Sequence, residues 1–181
     1  MSITTKTGDR GTTRLRNGEE VRKDCLRTEL LGNIDELGCQ LGAARAVCAD
    51  ATLSAELLKL QRELIEIAGE IADPSRVTSA ASEAELSRIS ASYEARIAEL
   101  ERQLPELREF RLPGASRLEA QLHLARAVSR RCERRAVSLD QEEQGLNAKL
   151  LICFNRLADY IWLLARQAEI DAKSGSAQPG N

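Results

Sequence analysis

The sequence predicts an all-α protein, an antiparallel bundle of five helices. Three observations carry that expectation. Apolar residues recur at three- and four-residue steps over long segments, the period of a helix face. Strand signals are weak throughout. Aromatic residues make up only 3% of the 181 residues, so the core falls to Leu, Ile, Val and Ala, which suit helix packing. A chain of this length buries a core as one domain, and 43% hydrophobic with 30% charged residues fits a globular protein.

The first helix is expected over about Val21–Cys48, with an apolar stripe of Leu30, Ile34, Leu37, Leu41 and Ala44. The second is expected over about Thr52–Ala72, where Leu57, Leu60, Leu64, Ile67 and Ile71 line one face. Asp73-Pro74-Ser75 ends it, because proline lacks a donor and restricts the residue before it. The third, about Ser82–Leu104, opens on a capping-box spacing of Ser82 and Glu85; it reads as the most polar helix, at the bundle edge. Pro105 and Leu112-Pro113-Gly114 bracket a loop. The fourth helix is expected over about Ser116–Leu139 and the fifth over about Asn147–Ala172. The polar end, 174–181, reads as a disordered tail.

A net charge of −2 argues against a general nucleic-acid or membrane-surface binder. There is no apolar run long enough to span a bilayer, no signal-peptide core and no Arg-rich presequence, so the expected location is cytoplasmic. Cys25, Cys39, Cys48, Cys132 and Cys153 are scattered and odd in number, which reads as small buried hydrophobes rather than a disulfide framework or a zinc site. His123 is the only histidine, which leaves little room for Ser-His or Cys-His catalysis.

Thr5-Lys-Thr-Gly-Asp-Arg-Gly-Thr-Thr13 stands apart from the helices. It holds two glycines, four threonines, Lys6, Asp9 and no apolar side chain. Such a segment cannot fold by burial, yet its N–H groups, hydroxyls and ammonium suit a phosphate chain. It is not a Walker A loop, since no Gly-Lys-Ser/Thr follows at the required spacing. By itself it reads first as a mobile polar N-terminus with two turns.

Two helices carry polar faces beside their packing stripes. On the fourth, Leu118, Leu122, Ala125, Val128 or Ser129, Cys132 and Ala136 form the stripe, and Arg126, Arg130 and Glu133 share an adjacent face that Arg134 extends. Arginines one turn apart repel weakly unless they share an anion, and rigid guanidinium forks suit a polyphosphate or a carboxylate. On the fifth, Leu150, Phe154, Leu157, Ile161, Leu164 and Ala168 pack, while Asn155, Asp159, Trp162 and Arg166 line a second face. The first helix offers Asp35 and Glu36, of which an Asp can orient an arginine from another helix or subunit. Each face taken alone also reads as an ordinary solvated surface.

Together these pieces resemble the PduO-type ATP:cob(I)alamin adenosyltransferases. The match runs through Thr5–Thr13, Gly18, Val21 and Lys23, then Gly32-Asn-Ile-Asp35-Glu-Leu37 and Gly42-Ala-Ala-Arg45. It resumes at Phe110-Arg-Leu-Pro-Gly114, Leu122-His-Leu-Ala-Arg126, Arg130-Arg-Cys-Glu-Arg134 and Asn155-Arg-Leu-Ala-Asp159-Tyr-Ile-Trp-Leu-Leu-Ala-Arg166. Residues 50–105 are a variable helical stretch. Departures from the family pattern are Thr4 and Trp162 where aromatics and phenylalanine are usual, Ala115 in place of a second glycine, and Phe154 and Ala158 around Asn155.

The resemblance implies a ferritin-like bundle that assembles as a homotrimer, with an ATP-binding loop over 1–20, an adenosyltransferase domain over 21–173, and sites at subunit interfaces. It implies that Thr5, Lys6, Thr7, Gly8, Asp9, Gly11, Thr12, Thr13 and Lys23 hold ATP and its Mg²⁺, completed by Arg126, Arg130, Glu133 and Asn155. Asp35 would pair with Arg126 across the interface, and Asp35, Arg126 and Arg130 would be the catalytic set. Phe110 and Trp162 would line the corrinoid side, with His123 structural. Co(I) of cobalamin would attack the 5′ carbon of ATP and release triphosphate, so no protein nucleophile is needed. Implied partners are a flavoprotein reductase and an adenosylcobalamin-dependent enzyme, with no nucleic acid and no membrane. The alternatives are a nucleotide-sensing or corrinoid-carrying relative without transfer, and a plain helical interaction bundle.

Overall fold

The computed structural model describes residues 6, 8–75, 79–107, 109–143 and 146–176. Among them are five helices and one two-stranded sheet. The order is β1 (Thr12–Arg14), β2 (Glu20–Arg22), α1 (Leu26–Ala46), α2 (Ala51–Ile71), α3 (Ala80–Gln103), α4 (Arg117–Glu143) and α5 (Ala148–Ser176). The predicted helices are all present.

The hairpin corrects the expected start of the first helix, because Val21 lies in β2. Thr12, Thr13 and Arg14 pair antiparallel with Arg22, Val21 and Glu20, and Arg14 meets Glu20 at 4.0 Å across the strands. The turn closes through Leu15 N–H to Glu19 O at 2.9 Å and Gly18 N–H to Leu15 O at 3.0 Å. Gly18 sits at φ 86, a conformation that a Cβ disfavours. Thr28 then donates its hydroxyl toward Lys23 O and Cys25 O, both at 2.9 Å, where α1 begins.

Each remaining helix start has a local cause. Asp50 Oδ1 accepts Leu53 N–H at 2.6 Å and caps α2. Ser79, not Ser82, caps α3: its Oγ accepts Ser82 N–H at 3.1 Å, while Ser82 is buried and Glu85 turns to Arg88. The expected capping box is therefore absent, and a simple serine cap stands three residues earlier. α5 runs on to Ser176, past the expected Ala172, and 177–181 of the expected tail lie outside the described residues. α4, with its run of arginines, carries denser charge than α3, contrary to the expectation that α3 is the most polar.

α4 packs against α1 and α5, α5 also against α3, and α1 against α2, with slight contact between α2 and α3. The predicted stripes of α1, α2 and α5 are buried, as is that of α4 from Leu122 to Ala136. Cys132 and Cys153 behave as buried hydrophobes, and burial pushes their thiols up to about 12 and about 11. Cys25 and Cys48 are half-buried and Cys39 is exposed, so the expectation holds for only part of the set. Among the described residues no helix is long and apolar enough to cross a membrane.

Ion pairs set the register of α1 on α4. Glu29 meets Arg135 at 2.8 Å, Glu36 pairs with Arg131, and buried Arg27 pairs with Glu143 while also donating to Ile71 O on α2. The same corner seats the hairpin. Arg16 N–H donates to Ala72 O at 3.0 Å, and Leu15 and Val21 line a cavity of about 220 Å³ with Arg27, Pro74 and Glu143.

Candidate functional site

The N-terminal loop folds back on the hairpin. Lys23 N–H donates to Gly11 O at 2.9 Å, and Gly11 N–H to Gly8 O at 3.3 Å. Gly8 lies under the Lys23 side chain: a Cβ there would stand 2.7 Å from Nζ and 3.0 Å from Cε. Glycine at this position is what lets the ammonium lie against the loop backbone. Gly11 has φ 81, and Lys6 has φ 57, a left-handed conformation rare for a side-chain-bearing residue and common where a loop is shaped for a task. A cleft of about 960 Å³ opens here, lined by Lys6, Gly8, Asp9, Arg10, Thr12, Thr13, Arg14 and Glu20. Thr5 and Thr7 of the predicted set lie outside the described residues. The sequence reading gave no role to Arg10, which joins the cleft as a further cation.

The α4–α5 face gathers the next group. Asn155 Nδ2 donates to Glu133 Oε1 at 3.0 Å, so two predicted site residues from different helices meet. Arg156 holds Asn155 Oδ1 at 2.8 Å and Glu94 of α3 at 3.1 Å. Arg130 and Asp35 are exposed, and neither side chain has a hydrogen-bond or ion-pair partner among the described residues. Arg126 is half-buried, and its Nε is enclosed without an acceptor. A buried guanidinium N–H left unpaired is costly, so a carboxylate or anion delivered from outside would be well received.

Beside Arg126 lies a cavity of about 200 Å³ lined by Leu107, Phe110, Arg111, Pro113, His123, Arg126, Trp162, Arg166 and Glu169. Phe110 is 91% exposed at its mouth, followed by exposed Leu112. Arg166 stacks over the Trp162 ring at 5.4 Å and donates to Pro105 O at 2.8 Å. A groove of about 470 Å³ lies on the other side of Trp162, between Glu94, Ile97 and Glu101 of α3 and Arg156, Asp159 and Leu163 of α5. His123, expected to be structural, lines the Phe110 cavity. Its pKa is lowered by burial first, with Arg126 acting in the same direction and Glu119 and Glu169 opposing.

The loop cleft and the arginine–aromatic cavity share no lining residue. The hairpin is seated beside Glu143, in the last turn of α4. Arg126 lies in the first half of that helix, roughly 25 Å away along its axis. Among the described residues, Lys6, Gly8, Asp9, Thr12 and Thr13 of the predicted ATP set line one cavity and Arg126 of the same set lines another.

The helical frame thus carries a cationic glycine–threonine loop near one end and an arginine–aromatic cavity toward the other. The chain belongs to the cobalamin adenosyltransferase family, whose model matches residues 3–168. It is 39% identical over 180 residues to a corrinoid adenosyltransferase of Bacillus subtilis, covering 97% of this chain and 89% of that one. It is 39% identical over 166 residues to a cobalamin adenosyltransferase of Cupriavidus metallidurans, covering 91% and 86%. Among solved structures, a phenylalanine-to-alanine variant of the PduO-type ATP:corrinoid adenosyltransferase from Lactobacillus reuteri, complexed with cobalamin and ATP, superposes with a TM-score of 0.83 at 30% identity. That likeness covers 96% of both chains.

Proposed function

We propose that this protein transfers the 5′-deoxyadenosyl group of ATP to the cobalt of cob(I)alamin, giving adenosylcobalamin and triphosphate. The observation that carries the reading is the division of the polar groups into two incomplete halves on a family-typical frame. One half has a loop with Gly8, Gly11, Thr12, Thr13 and Lys23. The other has Arg126 and Arg130, without hydrogen-bond or ion-pair partners among the described residues, and with them Phe110 and Trp162.

In this reading the loop, together with Thr5 and Thr7 in a 1–20 nucleotide-binding segment, cradles the triphosphate of one site. Arg126, Arg130, Glu133 and Asn155 of the 21–173 domain belong to the facing half, contributed by another copy in a ferritin-like homotrimer. Asp35 of one copy pairs with the guanidinium of Arg126 of the next. The cobalt–carbon bond forms as the C5′–oxygen bond breaks, and the electron pair leaves on the triphosphate. Catalysis then rests on in-line placement and on charge stabilisation of the leaving group by Arg130 and Lys23.

Among the described residues no group of three or more His, Cys, Asp or Glu side chains stands ready to hold a metal. Loop hydroxyls would be the protein donors for Mg²⁺, which would supply positive charge at the triphosphate when bound. Phe110 and Trp162 would flank the corrin and exclude water. A cytoplasmic flavoprotein reductase would supply Co(I), and an adenosylcobalamin-dependent enzyme would take the product.

The test is an anaerobic incubation of the protein with chemically reduced cobalamin and MgATP, followed by absorbance. Formation of adenosylcobalamin in proportion to enzyme is expected. Nucleotide binding without product would favour the sensing or carrier alternative.

A further inference from the structure

Residues 109–115 carry the exposed Phe110, yet they bury almost nothing: Glu109 to Ala115 are all exposed. Something other than burial must hold them. The structure places one fully buried carboxylate at that task. Glu119, in the first turn of α4, is 2% exposed. Its Oε2 accepts Gly114 N–H at 2.7 Å and Ala115 N–H at 3.1 Å. Its Oε1 lies 3.0 Å from His123 Nε2, one turn further along the helix. Glu119 N–H is in turn capped by Ser116 Oγ at 3.1 Å, which fixes the turn from which the carboxylate projects.

The proton arrangement is specific. His123 Nδ1 is buried without a partner, so the neutral ring with hydrogen on Nε2 suits this pocket and donates to Glu119. Gly114 has φ 124, a conformation that turns its N–H inward and is strained for any other residue. A buried carboxylate engaged by three donors makes charge-assisted bonds, each stronger than a neutral one. A second, weaker tie is Arg111 to Glu169 of α5 at 3.9 Å.

We infer that Glu119 is a positioning residue: through Gly114, Ala115 and His123 it fixes the 109–115 segment so that Phe110 stands at the mouth of the cavity shared with Trp162 and Arg126. This rests on the functional reading above and assigns it a corrinoid-side support that touches no substrate. Its loss should leave the nucleotide loop, seated at the hairpin end of the molecule, undisturbed.

The test uses Glu119→Ala, Glu119→Asp and Glu119→Gln in the full chain. Two readouts need no substrate: tryptic cleavage after Arg111, and acrylamide quenching of Trp162, the sole tryptophan. Glu119→Ala should speed cleavage and raise quenching. It should also raise the KM for cobalamin about tenfold, the scale of one lost charge-assisted bond, with the KM for ATP within about twofold of the parent. Glu119→Gln keeps a carbonyl oxygen for Gly114 and Ala115 but turns its amide toward the His123 N–H and removes the charge, so its cleavage, quenching and cobalamin KM should fall between those of the parent and the alanine variant. Glu119→Asp, too short to reach, should behave as the alanine variant does, and it decides the matter if the alanine variant does not fold. Unchanged cleavage and quenching in a folded alanine or aspartate variant would overturn the inference, as would parallel rises in both KM values. Absence of adenosyl transfer by the unaltered protein would count against the functional reading alone.

Discussion

Arg126 and Arg130 stand one turn apart on α4 and differ in what surrounds them. Arg130 is exposed, so it contributes little to the fold of one chain; Arg126 is half-buried with an enclosed, unpartnered Nε. Replacing Arg130 with Ala is expected to lower turnover by at least ~10²-fold, the scale for losing a preorganised charge stabiliser. Its melting temperature should stay close to the parent's. Asp35→Ala should likewise depress turnover without unfolding, since Asp35 is exposed and has no side-chain partner among the described residues. Near-normal conversion by Arg130→Ala, or a large drop in melting temperature for Asp35→Ala, would contradict these roles. The neighbouring Glu36, which the sequence could not separate from Asp35, is already spent on Arg131.

At the scale of elements, the helices were legible because each carries enough turns for a 3.6-residue period to show. Leu30, Ile34, Leu37 and Leu41 suffice to orient α1, and Leu150 to Ala168 to orient α5. β1 and β2 were not legible, since three residues such as Glu20-Val21-Arg22 are too few to establish an alternation. The polar faces of α4 and α5 were readable for the same reason as the stripes, and Glu133 does meet Asn155. Glu119 was not, because two of its three partners are backbone N–H groups that no side-chain pattern records. Nor was the corner where Arg27, 3% exposed, joins α1, α2 and α4. Arg27→Ala leaves Ile71 O and the Glu143 carboxylate without their donor. Because Glu143 is 37% exposed and can rehydrate, the expected loss is about 2–3 kcal/mol, below the range for a fully buried pair. Chemical denaturation would measure it, and a loss under ~0.5 kcal/mol, the range of ordinary surface substitutions, would show that this corner does not hold the hairpin end together.

For the whole molecule, the separation of the two half-sites has a consequence that no single-chain property can mimic. If each site combines the loop of one copy with the arginine face of the next, a chain lacking Lys23 and a chain lacking Arg130 are both inactive alone, yet each retains the half that the other has lost. Lys23→Ala removes the ammonium that lies against Gly8, and Arg130→Ala removes the exposed guanidinium on α4. Co-expression at equal levels mixes the chains at random, so a given loop and its facing arginine are each intact half the time. About a quarter of the sites then recover both, as follows from a head-to-tail interface closed into a ring. The mixed preparation should show about a quarter of the parent's adenosyl transfer, far above either variant purified separately. A site contained within one chain allows no such recovery, because every chain carries a defect. Activity in the mixture no greater than in the separate variants would place the loop and the arginines in the same protomer and remove the case for a shared site.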